Sequence, residues 1–131
     1  WETVLAISRQ AEVFMVAISA CRSFVGKLGP YGMEHHVYFW LKEEHQNAAD
    51  RAEFEKGLAA LFEIGLVAGG RWSVPAKVEI RPVVDQSWDY ALSMQFATLA
   101  DHDAYQVDPD HHAFIEKFKP IWAKVLVMDL A

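Results

Sequence analysis

The distribution of apolar positions divides the chain at Gly29-Pro30. Before that point Val4, Ile7, Ala11, Phe14, Ile18, Cys21, Val25 and Leu28 recur at spacings of three and four, which places them on one helical stripe. Thr3 can cap the start of this helix, and Gly29-Pro30 supplies its stop. Residues 1–32 are therefore expected to form an N-terminal extension, a helix able to dock or to act as a dimer arm. Its uncharged run, Val13 to Cys21, lies between Glu12 and Arg22 and is shorter than the roughly 20 apolar residues that span a bilayer. No membrane span is expected.

Beyond Pro30, short alternating runs take turns with helical periods. A strand is expected over about Glu34 to Lys42, then a helix whose Phe54, Leu58, Leu61 and Phe62 share one face and which ends near Gly65. Val67 to Val74 reads as a strand interrupted at Gly69-Gly70 by a bulge or a close backbone approach. Pro75 to Gln86 reads as loop or edge strand, and Trp88 to Phe96 alternates as a half-buried strand. Thr98 opens another helix with a capping-box-like Asp101, and Asp108-Pro109 opens a third, with Asp as N-cap and Pro at the first helical position. Ile121 to Leu130 is the last strand. The order βα-ββ-α-β is that of a ferredoxin-like α+β sandwich over residues 33–131.

Helices in that fold cover one face of the sheet, yet both faces of the first and last strands are apolar. Val37, Phe39 and Leu41 oppose Tyr38 and Trp40, while Val125 and Val127 oppose Leu126, Met128 and Leu130. An open antiparallel sheet normally shows polar residues on its watery face. The simplest cover is the same face of a second copy, which makes the expected assembly a homodimer joined sheet to sheet, a dimeric α+β barrel.

Composition sharpens this picture in three places. A hydrophobic fraction of 53%, with eight Phe and five Trp, is high for one small domain and suggests a further buried surface or an apolar pocket. The net charge of −6 argues against nucleic acid, because phosphate binding needs clustered Lys and Arg. A single cysteine excludes an internal disulfide and fits a reducing, cytoplasmic compartment. Ile18-Ser19-Ala20-Cys21 looks like a lipoprotein cleavage site, but Glu2 and Glu12 suit a leader poorly, so export through Cys21 is the lesser alternative.

Six histidines raise the question of a metal. Neighbouring histidines on a strand, as His35-His36, point to opposite faces, and no His-x-x-x-His pair exists to share a helical face. No transition-metal site is expected from these spacings, and no cofactor motif is present. No Ser-His-Asp set, phosphate loop or paired-carboxylate signature appears either. An acid–base pair is better supported. Alternation puts His35 with Val37 and Phe39 on the helix-covered face, Tyr105 ends the second helix of the domain, and His111 is third in the last helix, where its ring can face the sheet. A neutral imidazole can take a proton near neutral pH, and a phenol can hold a carbonyl or enolate oxygen.

Two runs carry a family resemblance: His35-His36-Val37-Tyr38-Phe39, and Tyr105-Gln106-Val107-Asp108-Pro109-Asp110-His111. Together they resemble the stress-responsive α/β-barrel (Dabb) family, with its His-x-Val-x-Phe strand and Tyr-x-x-His-Pro-x-His run, over about Met33 to Ala131. The resemblance implies a ferredoxin-like dimeric barrel. In cyclase members of the family, the residues matching Tyr105 and His111 are the catalytic pair. Those matching Val37, Phe39, Phe114, Trp122, Val125 and Val127 line the pocket, with Asp129 in an acidic position beside His35. The implied ligand is small, apolar and carbonyl-bearing. Members can also hold magnesium through backbone carbonyls, which here would be those of Leu61, Ile64 and Val67, although no side chain marks such a site. One departure stands out. Asp108 replaces the family's first histidine, and a carboxylate one turn from His111 favours imidazolium, which would weaken the base. Three readings follow: a dimer of unassigned activity in which Tyr105 and His111 are structural, a cyclase or lyase using His111 as base and Tyr105 as polariser, or a cofactor-free monooxygenase of the kind found on related barrels.

Overall fold

The structure, a computed structural model, describes residues 32–131. The N-terminal helix, its docking role and the Cys21 alternative fall outside the described residues. Strand β1 (Met33–Leu41) is followed by helix α1 (Ala48–Leu61), strands β2 (Gly69–Ser73) and β3 (Tyr90–Phe96), helices α2 (Leu99–Gln106) and α3 (Pro109–Phe118), and strand β4 (Trp122–Leu130). One antiparallel sheet takes them in the order β2-β3-β1-β4. No helix among the described residues is long and apolar enough to cross a membrane.

The helices begin where their caps dictate. The Asn47 side chain accepts from Asp50 N–H, Thr98 Oγ1 from Asp101 N–H, and the Asp108 carboxylate from Asp110 and His111 N–H. These bonds occupy donors that the first turn of a helix leaves without partners. Phe54, Leu58 and Leu61 recur at the helical period and bury one face of α1 against the sheet. Phe54 fills the centre, its ring 5.2 Å from those of Phe39 and Phe118 and 5.3 Å from Tyr90. Edge-on ring packing of this kind adds to simple area burial.

Strand β1 alternates as its sequence requires. Met33, His35, Val37, Phe39 and Leu41 are buried beneath the helices, and the residues between them face the other way. Part of that second face is covered within the chain itself, before any second copy is considered. The loop over residues 74–89 folds across it, with Trp88 edge-on to Tyr38 at 5.4 Å and the Trp40 indole N–H donating to Ser87 Oγ at 2.9 Å. Leu126, Met128 and Leu130 on β4 escape this cover.

Strand β3 starts later than the alternation from Trp88 suggests. Asp89 makes the transition: its N–H donates to the Phe39 carbonyl at 2.8 Å, while its carboxylate accepts from Leu41 N–H at 2.8 Å and from Arg51 at 2.9 Å. A side chain has taken a ladder position, so regular pairing begins only at Tyr90. The Gly69-Gly70 pair marks a close approach, with strand pairing unbroken across it. Gly70 holds φ at +120°, and a Cβ there would run into the Ser93 backbone carbonyl. Gly70→Ala should therefore cost roughly 1–3 kcal/mol from the backbone conformation alone. Gly69→Ala, whose Cβ would meet only the Gln95 side-chain oxygen at 3.2 Å, should cost less. Urea unfolding of the two variants checks the order, and equal midpoints would contradict it.

Candidate functional site

Strand pairing assembles the site. His35, Val37 and Phe39 stand opposite Asp129, Val127 and Val125 on β4, so all six side chains share the helix-facing side of the sheet. Tyr105 is buried near the end of α2, His111 occupies the first turn of α3, and Phe114 follows one turn later. Together with Trp122 these residues line one cavity of 270 Å³, so the acid–base pair and the pocket residues expected around it lie together. His35, Val37 and Phe39 form its buried floor. Val125 and Val127, 38% and 48% exposed, place its mouth along β4.

The Tyr105 and His111 rings lie 4.3 Å apart at 34°, stacked side by side on one wall. His111 is 9% exposed, and its Nδ1 is buried with no hydrogen-bond partner among the described residues, as is Trp122 Nε1. Burial lowers the His111 pKa. The Gln106 backbone raises it, His112 and His35 lower it further, and Asp108 raises it least. Asp108 does pull towards imidazolium, as expected, but weakly: desolvation outweighs it, and the Asp108 carboxylate is occupied in capping α3. Burial also raises the Tyr105 pKa, helped by the charge of Asp108, so the phenol keeps its proton. His35 Nδ1 donates to the Asp129 carboxylate across the β1–β4 pairing. Burial still lowers the His35 pKa against the pull of Asp129.

The residue missed in the sequence is His102. It lies one turn before Tyr105 on α2, its ring 5.0 Å from that of His35 and its Nε2 3.8 Å from Asp129. The helical period alone places it on the face of Tyr105, which was a usable signal. Spacing arguments against a metal set considered pairs on one element. They do not reach a set gathered from β1, α2 and β4, and His35, His102 and Asp129 are such a set. In the turn proposed for magnesium, the Leu61 and Ile64 carbonyls accept from the amides of Ile64 and Val67.

The sequence profile of the Stress responsive A/B Barrel Domain (Dabb) family matches residues 33–131. Among solved structures the chain is similar to a Dabb family protein with a ferredoxin-like fold from Mesorhizobium loti. The two are 26% identical with a TM-score of 0.61, over 76% of this chain and 95% of that one. A dimeric ferredoxin-like protein of unknown function from Thermobifida fusca is 18% identical, with a TM-score of 0.63 over 76% of this chain and 90% of that one. The hydroxynitrile lyase of Passiflora edulis is also 18% identical, with a TM-score of 0.62 over 77% of this chain and 93% of that one. No curated protein matches the chain in sequence. The ferredoxin-like reading of the element order is borne out by these structures.

A pH dependence follows from the two buried imidazoles. Both fold with pKa values below the ordinary 6.5, so between the folded value and 6.5 the unfolded chain binds more protons. Stability should rise with pH through that window and level off above it. Acidification from about pH 7.5 to about pH 5 should lower the melting temperature, and His111→Phe should flatten the slope by removing one of the two groups. A profile unchanged in that variant would exclude His111 as a contributor.

Proposed function

The chain belongs to the stress-responsive A/B barrel domain family, and on that premise we propose that its pocket binds a small apolar molecule bearing a carbonyl and moves a proton beside that carbonyl. The observation that carries this reading is a phenol and a neutral imidazole stacked on one wall of an apolar cavity. His111 takes the proton from the carbon next to the carbonyl. The released electron pair moves into the C=O, and the Tyr105 hydroxyl donates to the oxygen as negative charge grows there. The resulting enolate can be reprotonated, attack a second carbonyl to close a ring, or expel a leaving group. Lyase and cyclase outcomes thus share a first step.

The competing reading makes His111 structural, through the Gln106 backbone bond that joins the end of α2 to α3. Its Nδ1 is buried and has no partner among the described residues, a polar atom that this structural bond leaves unexplained. The test begins with thermal-shift screening against small aryl ketones, followed by deuterium exchange at the α-carbon of the binders, read by proton NMR. His111→Phe, which preserves stacking on Tyr105, should stay folded and lose exchange by about 10²–10⁴-fold. Tyr105→Phe should lose about 10²–10³-fold with little change in melting temperature. Exchange at wild-type rate in His111→Phe would sink the proposal.

We further propose that the working form is a homodimer joined through the loop and β4. Val74, Val78, Ile80 and Val83 on the loop and Leu126, Met128 and Leu130 on β4 leave large apolar side chains exposed in the single chain. Neighbours from Thermobifida fusca and Bacteroides fragilis are dimeric. Met128 is 52% exposed in the protomer, so Met128→Glu should leave the fold intact yet bury a charge in the dimer. Light scattering should then report the 14.9 kDa protomer in place of a particle twice that mass. A wild-type chain that remains monomeric at micromolar concentration overturns this reading.

A further inference from the structure

We propose that His35, His102 and Asp129 bind a first-row divalent transition cation, with Zn²⁺ as the representative ion. Each residue comes from a different element, and their ligand atoms lie within 4.8 Å of one another. A shared ion held at about 2.0–2.2 Å from each donor requires separations of at most about 4 Å, so the set would have to draw together by less than about 1 Å to hold one. Two imidazoles and one carboxylate are the donor types that such ions select over magnesium or calcium, which prefer oxygen alone.

The hydrogen bonds around His102 supply a second, separate argument. Its Nδ1 lies 3.4 Å from the Asp103 carboxylate, and its Nε2 lies 3.2 Å from the Gln106 side-chain amide. A carboxylate accepts only, so the ring proton sits on Nδ1 and the lone pair of Nε2 accepts from the Gln106 amide N–H; an ion between Nε2 and Asp129, 3.8 Å apart, would take the place of that donor. This is how metal-bound imidazoles are commonly oriented, with a carboxylate fixing the far nitrogen. On β1 the ion would replace the proton that His35 Nδ1 shares with Asp129. His35 is buried, His102 half-buried, and the Asp129 side chain 44% exposed, so the set has a closed base and an entry path. All three residues line the cavity, and a four-coordinate ion would keep its remaining position open towards that space.

The inference is independent of the acid–base reading, because neither Tyr105 nor His111 belongs to the set. The full chain, prepared without a histidine tag and dialysed against chelator, is titrated with Zn²⁺ by calorimetry and with Co²⁺ by visible absorption. One Zn²⁺ per protomer is expected, with a cobalt spectrum of nitrogen and oxygen ligation. His102→Ala and Asp129→Asn, on partly exposed positions, should each weaken binding at least tenfold and abolish the cobalt bands while circular dichroism is unchanged. Asp129→Asn preserves side-chain shape and so keeps the test decisive if His102→Ala fails to fold. His45→Ala, which removes an unrelated histidine–carboxylate pair, and Cys21→Ser should bind as wild type. Less than one site per protomer overturns the proposal. So does binding that survives Asp129→Asn or is lost in His45→Ala or Cys21→Ser.

Discussion

Everything at the cavity depends on the register of β1 between β3 and β4. A strand's side chains alternate with period two, so a slip of one residue would send His35, Val37 and Phe39 to the opposite face and bring Glu34 and His36 beneath the helices. The pair of buried His35 and half-exposed Asp129 helps to specify that register. Met94 on β3 and Asp129 on β4 both stand opposite His35, so the histidine touches a packed apolar side chain on one flank and a carboxylate on the other. Burial of the alternate apolar residues supplies the driving force, and this one polar pair makes the wrong alignment costly.

Desolvation then decides the chemistry of the groups so placed. Tyr105 and His111 are held apart from water by Phe96, Phe114 and one another, and burial pushes both towards their neutral forms. Asp108 illustrates how position outweighs proximity. Its charge is close to His111 in sequence, yet its oxygens face the amides at the start of α3 and its influence on the ring is the smallest of those acting there. The same carboxylate therefore starts the helix and leaves the imidazole neutral.

Much of this was legible in the chain because the signals are local. Alternation locates β1 and β4, capping residues locate α2 and α3, and the matched motifs name residues that line the cavity. What escaped notice depends on distance in space. His102 gains meaning only once β1 and β4 bring His35 and Asp129 beneath α2. Trp88 alternates like a strand residue, but Asp89 replaces a ladder bond with a side-chain bond and leaves Trp88 to the loop. The loop's course over the second sheet face has no periodic signature, since prolines and scattered aliphatics specify where it cannot pair without stating where it packs.

Asp89 has one more effect, through its bonds to Leu41, Phe39 and Arg51. It fixes the point at which the loop rejoins the sheet, on the far side of β1 from the cavity. Lengthening or recomposing the loop changes its closure entropy only slowly, and the tie at Asp89 keeps such changes from reaching Phe39 or the helices beyond it. Sequence drift in that loop can accordingly alter which surfaces a protomer recognises while the cavity keeps its shape. The molecule separates a conservative interior from an exterior that is free to diversify.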